Sequence, residues 1–492
     1  MVKLITSTVF FSWLVMQPLF VICQNVEWSN QQKVKSKTAY SQVIGENATG
    51  MYLVKCKNGG FATGITIEKY RSNLALENSI ELKQPLGSII EKMLLLNDGM
   101  LVVASKRNDS LPKVDVLCWK IDAALKNGSI KTLTQIEAVL FRSNSSVYFQ
   151  QSANKQNYTL SYFVNGNDKL NSTLHLHGFD DGLNETFHKT LTIAYAPNEN
   201  VISGFEADDE GNIFMLIDFP KKDDGRKLKN LRDFYLYAYY KSLDKTLEYK
   251  LGNDSSFIND IGLAVNNYKK VITIIGTYAG ENNNKVDGTF LYTIDAVSTV
   301  VSANLFEPLA KAFVLKISTT LLNETGNYLS DLYIRKIIPR SDGGCVLIME
   351  KFYETRQTYT YYANGFPQTA SRITYNYDEI IILSKDASGK TQHQEFIKKN
   401  QSSTNDAGYF SSFVLLNSTN KLSFIYSSDV GNEGDIMISS INPNGQLETK
   451  ILVKSLSYYV MLMPSESKQV NANSTVICTM KDRRFTLMKL TN

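Results

Sequence analysis

The sequence predicts an all-β fold, a β-propeller-like radial repeat of seven or eight blades with one short helical insert. A short apolar strand, a polar turn and a second strand recur along the 492 residues. Divergent repeats of β-hairpins of this kind are typical of propellers and related radial arrays. The 27 Tyr and 24 Phe residues agree with this fold class, because aromatic side chains are enriched in strands.

The repeated unit is visible in two forms. Strand and turn segments lie at residues 116–122, 234–242, 290–296, 380–389 and 436–445, and turns rich in Asn, Asp and Gly precede apolar runs at 58–65, 97–104, 209–216, 267–275, 342–348 and 420–426. Asn, Asp and Gly adopt the positive φ angles of tight hairpins. The continuous apolar runs indicate strands buried on both faces. The long interval between the second and third of these runs is expected to contain one degenerate unit at 147–163.

The first 23 residues predict a secretory signal peptide. Lys3 precedes an apolar run that continues to Ile22, which is the composition of such a leader. Cleavage after Cys23 would leave Gln24 as the mature N-terminus; acylation of Cys23 and a retained anchor are the alternatives. No later segment has the roughly 18–20 apolar residues of a membrane helix. Residues 24–492 are therefore predicted to form a single propeller-like domain.

Charge and cysteine content narrow the function classes. Lys and Arg number 52 against 48 Asp and Glu, without long runs of one sign, so we expect no nucleic-acid partner. Cys56, Cys118, Cys345 and Cys478 lie far apart in apolar runs, which predicts buried, inert thiols. A disulfide between Cys56 and Cys478 is the alternative, because the first and last blades are neighbours in a closed ring.

Two stretches interrupt the repeat. Residues 306–322 are predicted to form the helical insert, because apolar residues follow a helical spacing after Pro308; a buried strand is the alternative. Residues 352–377, called the aromatic hairpin below, contain seven Tyr or Phe residues beyond Phe352 around an Asn364-Gly365 turn. This hairpin is too long for a blade and is predicted to project. We predict that Tyr359, Tyr361, Tyr362 and Phe366 bind a partner, with ordinary cross-strand pairing as the alternative.

Histidine is scarce, and it supplies one candidate for a transition-metal site. His175 and His177 share one face of a strand, and His188, Asp180 and Asp181 follow within reach. Paired histidines on strands are common without metal, so we predict solvated or hydrogen-bonded side chains and no metal ligands.

Other motifs carry less chemistry. Residues 384–391 are similar to the Asp-box turn of sialidase-type propellers, which is a structural hairpin. The acidic turns at 180–182 and 206–210 could offer oxygen ligands to calcium, but we predict solvated turns. The loop at 221–232 has six basic residues and is predicted to be solvated, with an acidic partner as the alternative. Motifs of hydrolases, phosphate-binding loops and zinc proteases are missing from the sequence, so we predict no catalytic residues and no cofactor.

The back half of the chain resembles a group of secreted, mostly uncharacterised proteins of Bacteroidota. The resemblance covers residues 202–492 and is carried by segments 235–241, 257–267, 288–295 and 403–412. It implies a propeller-type chain exported across the inner membrane, residing in the periplasm or at the outer membrane rather than released. The group has no established catalytic motif, so no site residue is carried over.

These expectations combine into a non-enzymatic binding or scaffolding protein of the cell envelope. An accessory subunit of an outer-membrane export or uptake complex is the concrete form of this prediction, with an envelope protein as partner. Contact with the membrane is expected only through that partner or through a lipid on Cys23. The alternatives are a glycan-binding or glycan-degrading propeller, with a channel lined by carboxylates and aromatic residues, and a structural surface protein.

Overall fold

The apolar runs form antiparallel strands, and the computed structural model arranges them radially. It describes residues 25–34, 40–56, 64–137, 147–165, 171–194, 201–223, 226–253, 255–281, 283–321, 328–430, 434–456 and 460–492. The predicted signal peptide, with Cys23, lies outside these residues, as do most of the 58–65 turn and part of the 221–232 loop. Among the described residues, the helices include none with the length and apolarity needed to cross a bilayer.

The described strands build eight four-stranded antiparallel blades. Two short strands come first, β1 (Asn25–Trp28) and β2 (Gln32–Lys33). Blade 1 contains β3 (Tyr40–Asn47), β4 (Gly50–Cys56), β5 (Thr66–Tyr70) and β6 (Leu76–Glu81). Blade 2 contains β7 (Ser88–Leu96), β8 (Gly99–Arg107), β9 (Lys113–Asp122) and β10 (Lys131–Glu137). Blade 3 contains β11 (Tyr148–Gln151), β12 (Tyr158–Asn165), β13 (Ser172–Phe179) and β14 (Glu185–Ile193). Blade 4 contains β15 (Val201–Ala207), β16 (Ile213–Asp223), β17 (Arg226–Tyr240) and β18 (Lys245–Leu251), with a 3-10 turn at Lys241–Leu243.

The second half repeats the plan with additions. Blade 5 contains β19 (Phe257–Asn266), β20 (Val271–Ala279), β22 (Gly288–Asp295) and β23 (Val301–Pro308). Strand β21 (Lys285–Val286) pairs with β24 (Leu329–Ser330) beside the helix α1 (Lys311–Leu321). Blade 6 contains β25 (Leu332–Pro339), β26 (Cys345–Ala363), β27 (Phe366–Lys385) and β28 (Thr391–Ile397), and β29 (Gln401–Thr404) adds to β27. Blade 7 contains β30 (Val414–Ser418), β31 (Lys421–Ser427), β32 (Ile436–Ile441) and β33 (Leu447–Val453). Blade 8 contains β34 (Met461–Asn471), β35 (Ser474–Lys481) and β36 (Arg484–Thr491), completed by β1.

Hydrophobic packing between successive blades confirms the radial arrangement. The described core divides into eight clusters, each shared by two neighbouring blades, and one cluster joins blade 8 to blade 1. In β8, Met100 and Val102 pack toward blade 1, whereas Leu101 and Val103 pack toward blade 3. Alternate side chains of a strand point to opposite faces of its sheet, so a strand between two blades must be apolar at every position. This explains the continuous apolar runs, and it confirms the predicted propeller.

The ring closes through the N-terminal segment. Strand β1 pairs antiparallel with β36, so that Val26 lies opposite Leu490 and Trp28 opposite Met488. After an interval of three residues, β2 also pairs with β36. The last blade is thus built from both ends of the described chain, which ties its outer edge to blade 1.

The degenerate unit expected at 147–163 is the inner half of blade 3, because it contains β11 and β12. The helical insert is also confirmed, but with a different start. Residues 306–308 belong to the outer strand β23, and the helix begins at Lys311. Proline is tolerated at the end of an edge strand, so Pro308 ends β23 instead of beginning the helix. Phe313 and Ile317 then pack into the cluster between blades 5 and 6.

Candidate functional site

The aromatic hairpin is a continuation of two blade strands. The pairing of β26 with β27 runs without a break in direction from Cys345↔Lys385 to Ala363↔Phe366, with one irregularity between Glu350 and Phe352. Asn364 and Gly365 have φ angles of 51° and 81°, which is the conformation of a two-residue hairpin turn. This irregularity lies where the ribbon leaves the blade, since β28 pairs with β27 only from Ile380 to Lys385. A bulge at that point increases the local twist of the two strands.

The tip of this hairpin, defined here as residues 357–371, is exposed and uncharged. Tyr359, Tyr361, Tyr362 and Phe366 are 53%, 46%, 76% and 71% exposed. The chain has no charged residue between Arg356 and Arg372. Strand β29 pairs with β27 only from Thr374 to Tyr377, so among the described strands the tip has two open edges. Eight residues of β26 lie beyond that point, a length of about 25 Å.

The base of the hairpin is held by a buried ionic network. The Lys399 ammonium lies 2.9 Å from a Glu350 carboxylate oxygen, and both side chains are inaccessible to solvent. Arg335 Nε and Ser412 Oγ donate to the other Glu350 oxygen at 2.9 and 2.7 Å. Lys399 also donates to the backbone carbonyl of Tyr377 at 2.8 Å. Burial lowers the pKa of Lys399, whereas Glu350 opposes that shift.

Aromatic and acidic groups surround this network. The Arg335 guanidinium lies 5.9 Å from the ring centre of Phe352 and 5.5 Å from that of Tyr377, within the range of cation–π attraction. Burial raises the pKa values of Asp378 and Glu379. The arrangement fixes the first residues of the ribbon, so the tip is presented on a rigid base.

A loop at 405–413 leads from β29 across to blade 8. The Tyr409 hydroxyl donates a short hydrogen bond to Glu466, and the Ser41 N–H donates to the same carboxyl group at 3.0 Å. Ser412 has a φ of 83°, an unusual value for a residue with a side chain, and its N–H donates to Gln401 Oε1 at 2.7 Å. The loop therefore links the base of the hairpin to the interface between blades 8 and 1.

Glu466 gives this interface a pH dependence. Its side chain is fully buried beside the thiols of Cys56 and Cys478, and burial raises its pKa to about 8, against the opposing hydrogen bonds from Tyr409 and Ser41. Because the folded state binds this proton more tightly than the unfolded state does, the contribution of Glu466 to stability is greatest below pH 4.5 and falls as the pH rises toward 8.

The change Glu466→Gln is therefore expected to flatten the fall in stability above pH 5. At pH 8.5 we expect a gain of about 2 kcal/mol in the free energy of unfolding, less than the full shift implies because the amide must repack against Tyr409. Denaturant unfolding between pH 5 and 9 measures it, with the exposed Glu248→Gln as control. Parallel curves for wild type and Glu466→Gln would contradict the assignment.

Charged side chains of both signs lie around the centre of the ring, where the inner strands of the blades meet. Lys92, Lys336 and Lys468 extend from the inner strands of blades 2, 6 and 8, and the first two lower the pKa of Lys468 by charge repulsion, after the larger effect of burial. Lys468 donates to the backbone carbonyl of Ile44 at 2.8 Å. Glu206 lies within electrostatic reach of Lys336 and Lys92. Glu206 and Asp260 line the same cavity as Arg335 and Lys336.

The four cysteines among the described residues are free and buried, as predicted. The alternative disulfide between Cys56 and Cys478 is not formed, although blades 1 and 8 are neighbours. Cys56 packs into the cluster between blades 1 and 2, whereas Cys478 packs into the cluster between blades 8 and 1. The two side chains thus lie on opposite faces of blade 1, and this separation explains the missing bridge.

The Asp side chains of the acidic turns accept hydrogen bonds from backbone N–H groups. Asp386, within the motif at 384–391, accepts hydrogen bonds from the N–H groups of Ser388 and Lys390, at 2.9 and 3.0 Å. In the same way, Asp180 accepts from the backbone N–H of Asn184 at 2.7 Å, and Asp208 accepts from that of Asn212 at 2.8 Å. Among the described part of the 221–232 loop, Arg232 pairs with Asp218. The Asp386 contacts agree with the structural hairpin predicted for residues 384–391. The 206–210 turn is not fully solvated as predicted, because Asp208 is buried and accepts hydrogen bonds from Asn212.

The side chains of the three histidines in blade 3 lie close to one another, whereas Asp180 accepts a hydrogen bond from the backbone of Asn184. His175 Nδ1 lies 3.0 Å from His188 Nε2, and His177 Nδ1 lies 2.6 Å from a Glu185 carboxylate oxygen. Burial is the largest of the effects that lower the pKa of His175 to about 4, and charge repulsion from His188 and His177 contributes to the same shift. The sequence spacing predicted the pair on β13, but the position of Glu185 follows from the register of β14, which spacing alone does not give.

Comparison with known proteins adds no functional assignment. No protein-family model matches the chain, and no curated protein is significantly similar to it. Among solved structures, the WD40 domain of SCAP from fission yeast is 7% identical with a TM-score of 0.41, covering 95% of this chain and 98% of that one. The polysaccharide lyase Uly1 is 10% identical with a TM-score of 0.35 over 95% and 99% of the two chains. The β-propeller domain of the Trilobed protease from Pyrococcus furiosus is 11% identical with a TM-score of 0.33 over 87% and 96%. At these scores the likenesses carry no argument about function, and the fold follows from the sheet topology of the chain itself.

Proposed function

We propose that this protein is a non-enzymatic binding propeller that holds a protein partner at the tip of its aromatic hairpin. The observation that carries the proposal is the exposure of Tyr359, Tyr361, Tyr362 and Phe366 on a ribbon whose base is fixed by buried ion pairs. Exposed aromatic side chains on a rigid element lose little conformational entropy on binding, and tyrosine is frequent among the residues that dominate protein interfaces.

The open edges of the tip favour a polypeptide over other ligands. Unpaired strand edges offer backbone N–H and carbonyl groups to an added strand, and the aromatic side chains between them supply specificity. A lipid surface or a sugar can contact the rings but cannot complete the ladder. The absence of charge between Arg356 and Arg372 fits an apolar contact with such a strand.

The proposal also includes a compartment and a class of partner. On the resemblance to exported Bacteroidota proteins, we place the partner in the cell envelope, where this chain would serve as an accessory subunit of an export or uptake complex. The glycan alternative depends on the same exposed rings, because aromatic faces also stack on sugars, and the experiment must separate the two.

Affinity purification from the native envelope in mild detergent tests the proposal. The wild-type chain is expected to recover one protein in stoichiometric amount, and the double change Tyr362→Ser with Phe366→Ser is expected to weaken that complex by about 30-fold or more. Tyr268→Ser is the matched control, because Tyr268 is 80% exposed at the turn after β19, far along the chain from the hairpin.

Two results would count against the proposal. Equal recovery by the hairpin variant would show that the partner binds another surface. Recovery of no envelope protein, together with binding of the wild-type chain to a carbohydrate array that the hairpin variant loses, would favour the glycan alternative.

A further inference from the structure

We propose that His175, His177 and His188 form a site for a divalent transition-metal ion of the zinc type on the outer half of blade 3. The three side chains each offer one ring nitrogen, and these nitrogens lie within 4.8 Å of one another. The site lies apart from the aromatic hairpin, so the inference stands independently of the proposed function.

The register of two strands creates the cluster. His177 on β13 lies directly opposite His188 on β14, and their rings stack with centres 4.0 Å apart. His175 lies two residues before His177, so it shares the same face of the sheet. Three imidazoles on one face of a rigid ladder are therefore brought together by the backbone itself.

The distances suit a tetrahedral ion. Zinc binds imidazole nitrogen at 2.0–2.1 Å, which places neighbouring ligand nitrogens about 3.3 Å apart in a tetrahedron. His175 Nδ1 and His188 Nε2 are separated by 3.0 Å. His188 is exposed, so a small side-chain rotation can bring its nitrogen into place without moving the core.

Glu185 supplies the supporting contact that metal-binding histidines commonly have. Its carboxylate accepts a 2.6 Å hydrogen bond from His177 Nδ1, so the lone pair of this ring is on Nε2, which lies 3.3 Å from the Tyr162 hydroxyl. Binding of an ion through Nε2 replaces that hydroxyl contact. Such a carboxylate fixes the tautomer and increases the basicity of the ligand. His177 is only 2% exposed, so its ring is held in one orientation.

The donor set defines the ion class. Three neutral imidazoles suit Zn²⁺, Cu²⁺ or Ni²⁺, whereas Ca²⁺ and Mg²⁺ require oxygen ligands. Asp180, which could have supplied oxygen, accepts instead from the N–H of Asn184. Three protein ligands leave a fourth position open to water.

Zinc binding to the untagged, chelator-treated chain tests the site. Calorimetry and elemental analysis after dialysis are expected to show one Zn²⁺ per chain and a higher thermal midpoint with zinc. Glu185→Gln is expected to weaken binding by about 10–100-fold, and His175→Ala or His188→Ala by more. His393→Ala, which removes the histidine of β28, is expected to bind zinc like the wild type.

Each remaining outcome is decisive. Absence of stoichiometric zinc on the wild-type chain would overturn the proposal, and so would unchanged affinity in His188→Ala. Because His188 is exposed, that variant is expected to fold normally, which its metal-free circular dichroism and thermal midpoint would verify. Substitution with Co²⁺ adds a direct readout, because a tetrahedral site gives intense visible absorption that the His175→Ala variant should lack.

Discussion

Lys399→Met is expected to lower the free energy of unfolding by about 3 kcal/mol, because it removes one of the two cations that lie 2.9 Å from a buried carboxylate. Lys399 and Glu350 are both inaccessible to solvent, and their charged atoms are 2.9 Å apart. The ammonium also donates to the carbonyl of Tyr377 and to Gln401 Oε1, at 2.8 and 3.0 Å. Methionine fills a similar volume but donates to none of these acceptors, so each loses a hydrogen bond inside the protein.

Denaturant unfolding at pH 7 measures the loss. Lys390→Met is the matched control, because Lys390 is exposed at the start of the same blade edge, and a change within about 0.5 kcal/mol is expected there. The double variant Glu350→Gln with Lys399→Met should recover part of the stability, since it removes the buried carboxylate that Arg335 alone would have to neutralise. A loss below about 1 kcal/mol in the single variant would show that Arg335 alone is enough to stabilise Glu350.

The same variant connects stability to binding. Lys399 holds the backbone at Tyr377, where β29 joins the ribbon, so its loss should loosen residues 374–377. Faster hydrogen exchange there, with unchanged exchange in blade 2, would show that the network fixes the base of the aromatic hairpin. Weaker partner binding by Lys399→Met would then follow from lost rigidity, because the aromatic tip itself is unaltered.

The repeat could be predicted because it depends on short-range pattern. The apolar run at 97–104 indicated a strand buried on both faces, and Met100 and Leu101 do pack against different blades. The Asn364-Gly365 turn was equally clear, since few other dipeptides adopt two positive φ angles in succession. Local preference and global fold agree at these positions.

The ionic network could not be predicted, because its members are separated in sequence. Its members are Arg335, Glu350, Lys399 and Ser412, which lie in four different segments. Only the pairing of β25, β26 and β29 with their neighbours brings them together. The start of the helix was mistaken for a similar reason, because whether Pro308 ends a strand depends on β22 lying beside it.

Removing β1 and β2 is expected to open the ring and to cost about 3 kcal/mol or more. Val26 and Trp28 pack half-buried against the cluster between blades 7 and 8. Full burial of one large apolar side chain contributes about 1.5–3 kcal/mol, so the two half-buried side chains together contribute about that much, and the loss of the β1–β36 pairing adds to it. Gln32 adds a link to blade 1, since its side chain donates to the Tyr70 hydroxyl at 2.8 Å. The predicted cleavage after Cys23 would leave this segment intact.

A chain that begins at Val34 tests this closure, compared with one that begins at Gln24. The shorter chain should unfold at lower denaturant and should associate, because β36 would present an unpaired edge. A synthetic peptide of residues 24–33 should restore the unfolding midpoint, whereas a scrambled peptide of the same composition should not. Equal stability of the two chains would contradict the closure. Rescue by the peptide of native sequence, and not by the scrambled one, would establish that the N-terminal segment completes blade 8 by strand pairing. The ring would then be closed by this pairing in addition to the packing of blade 8 against blade 1.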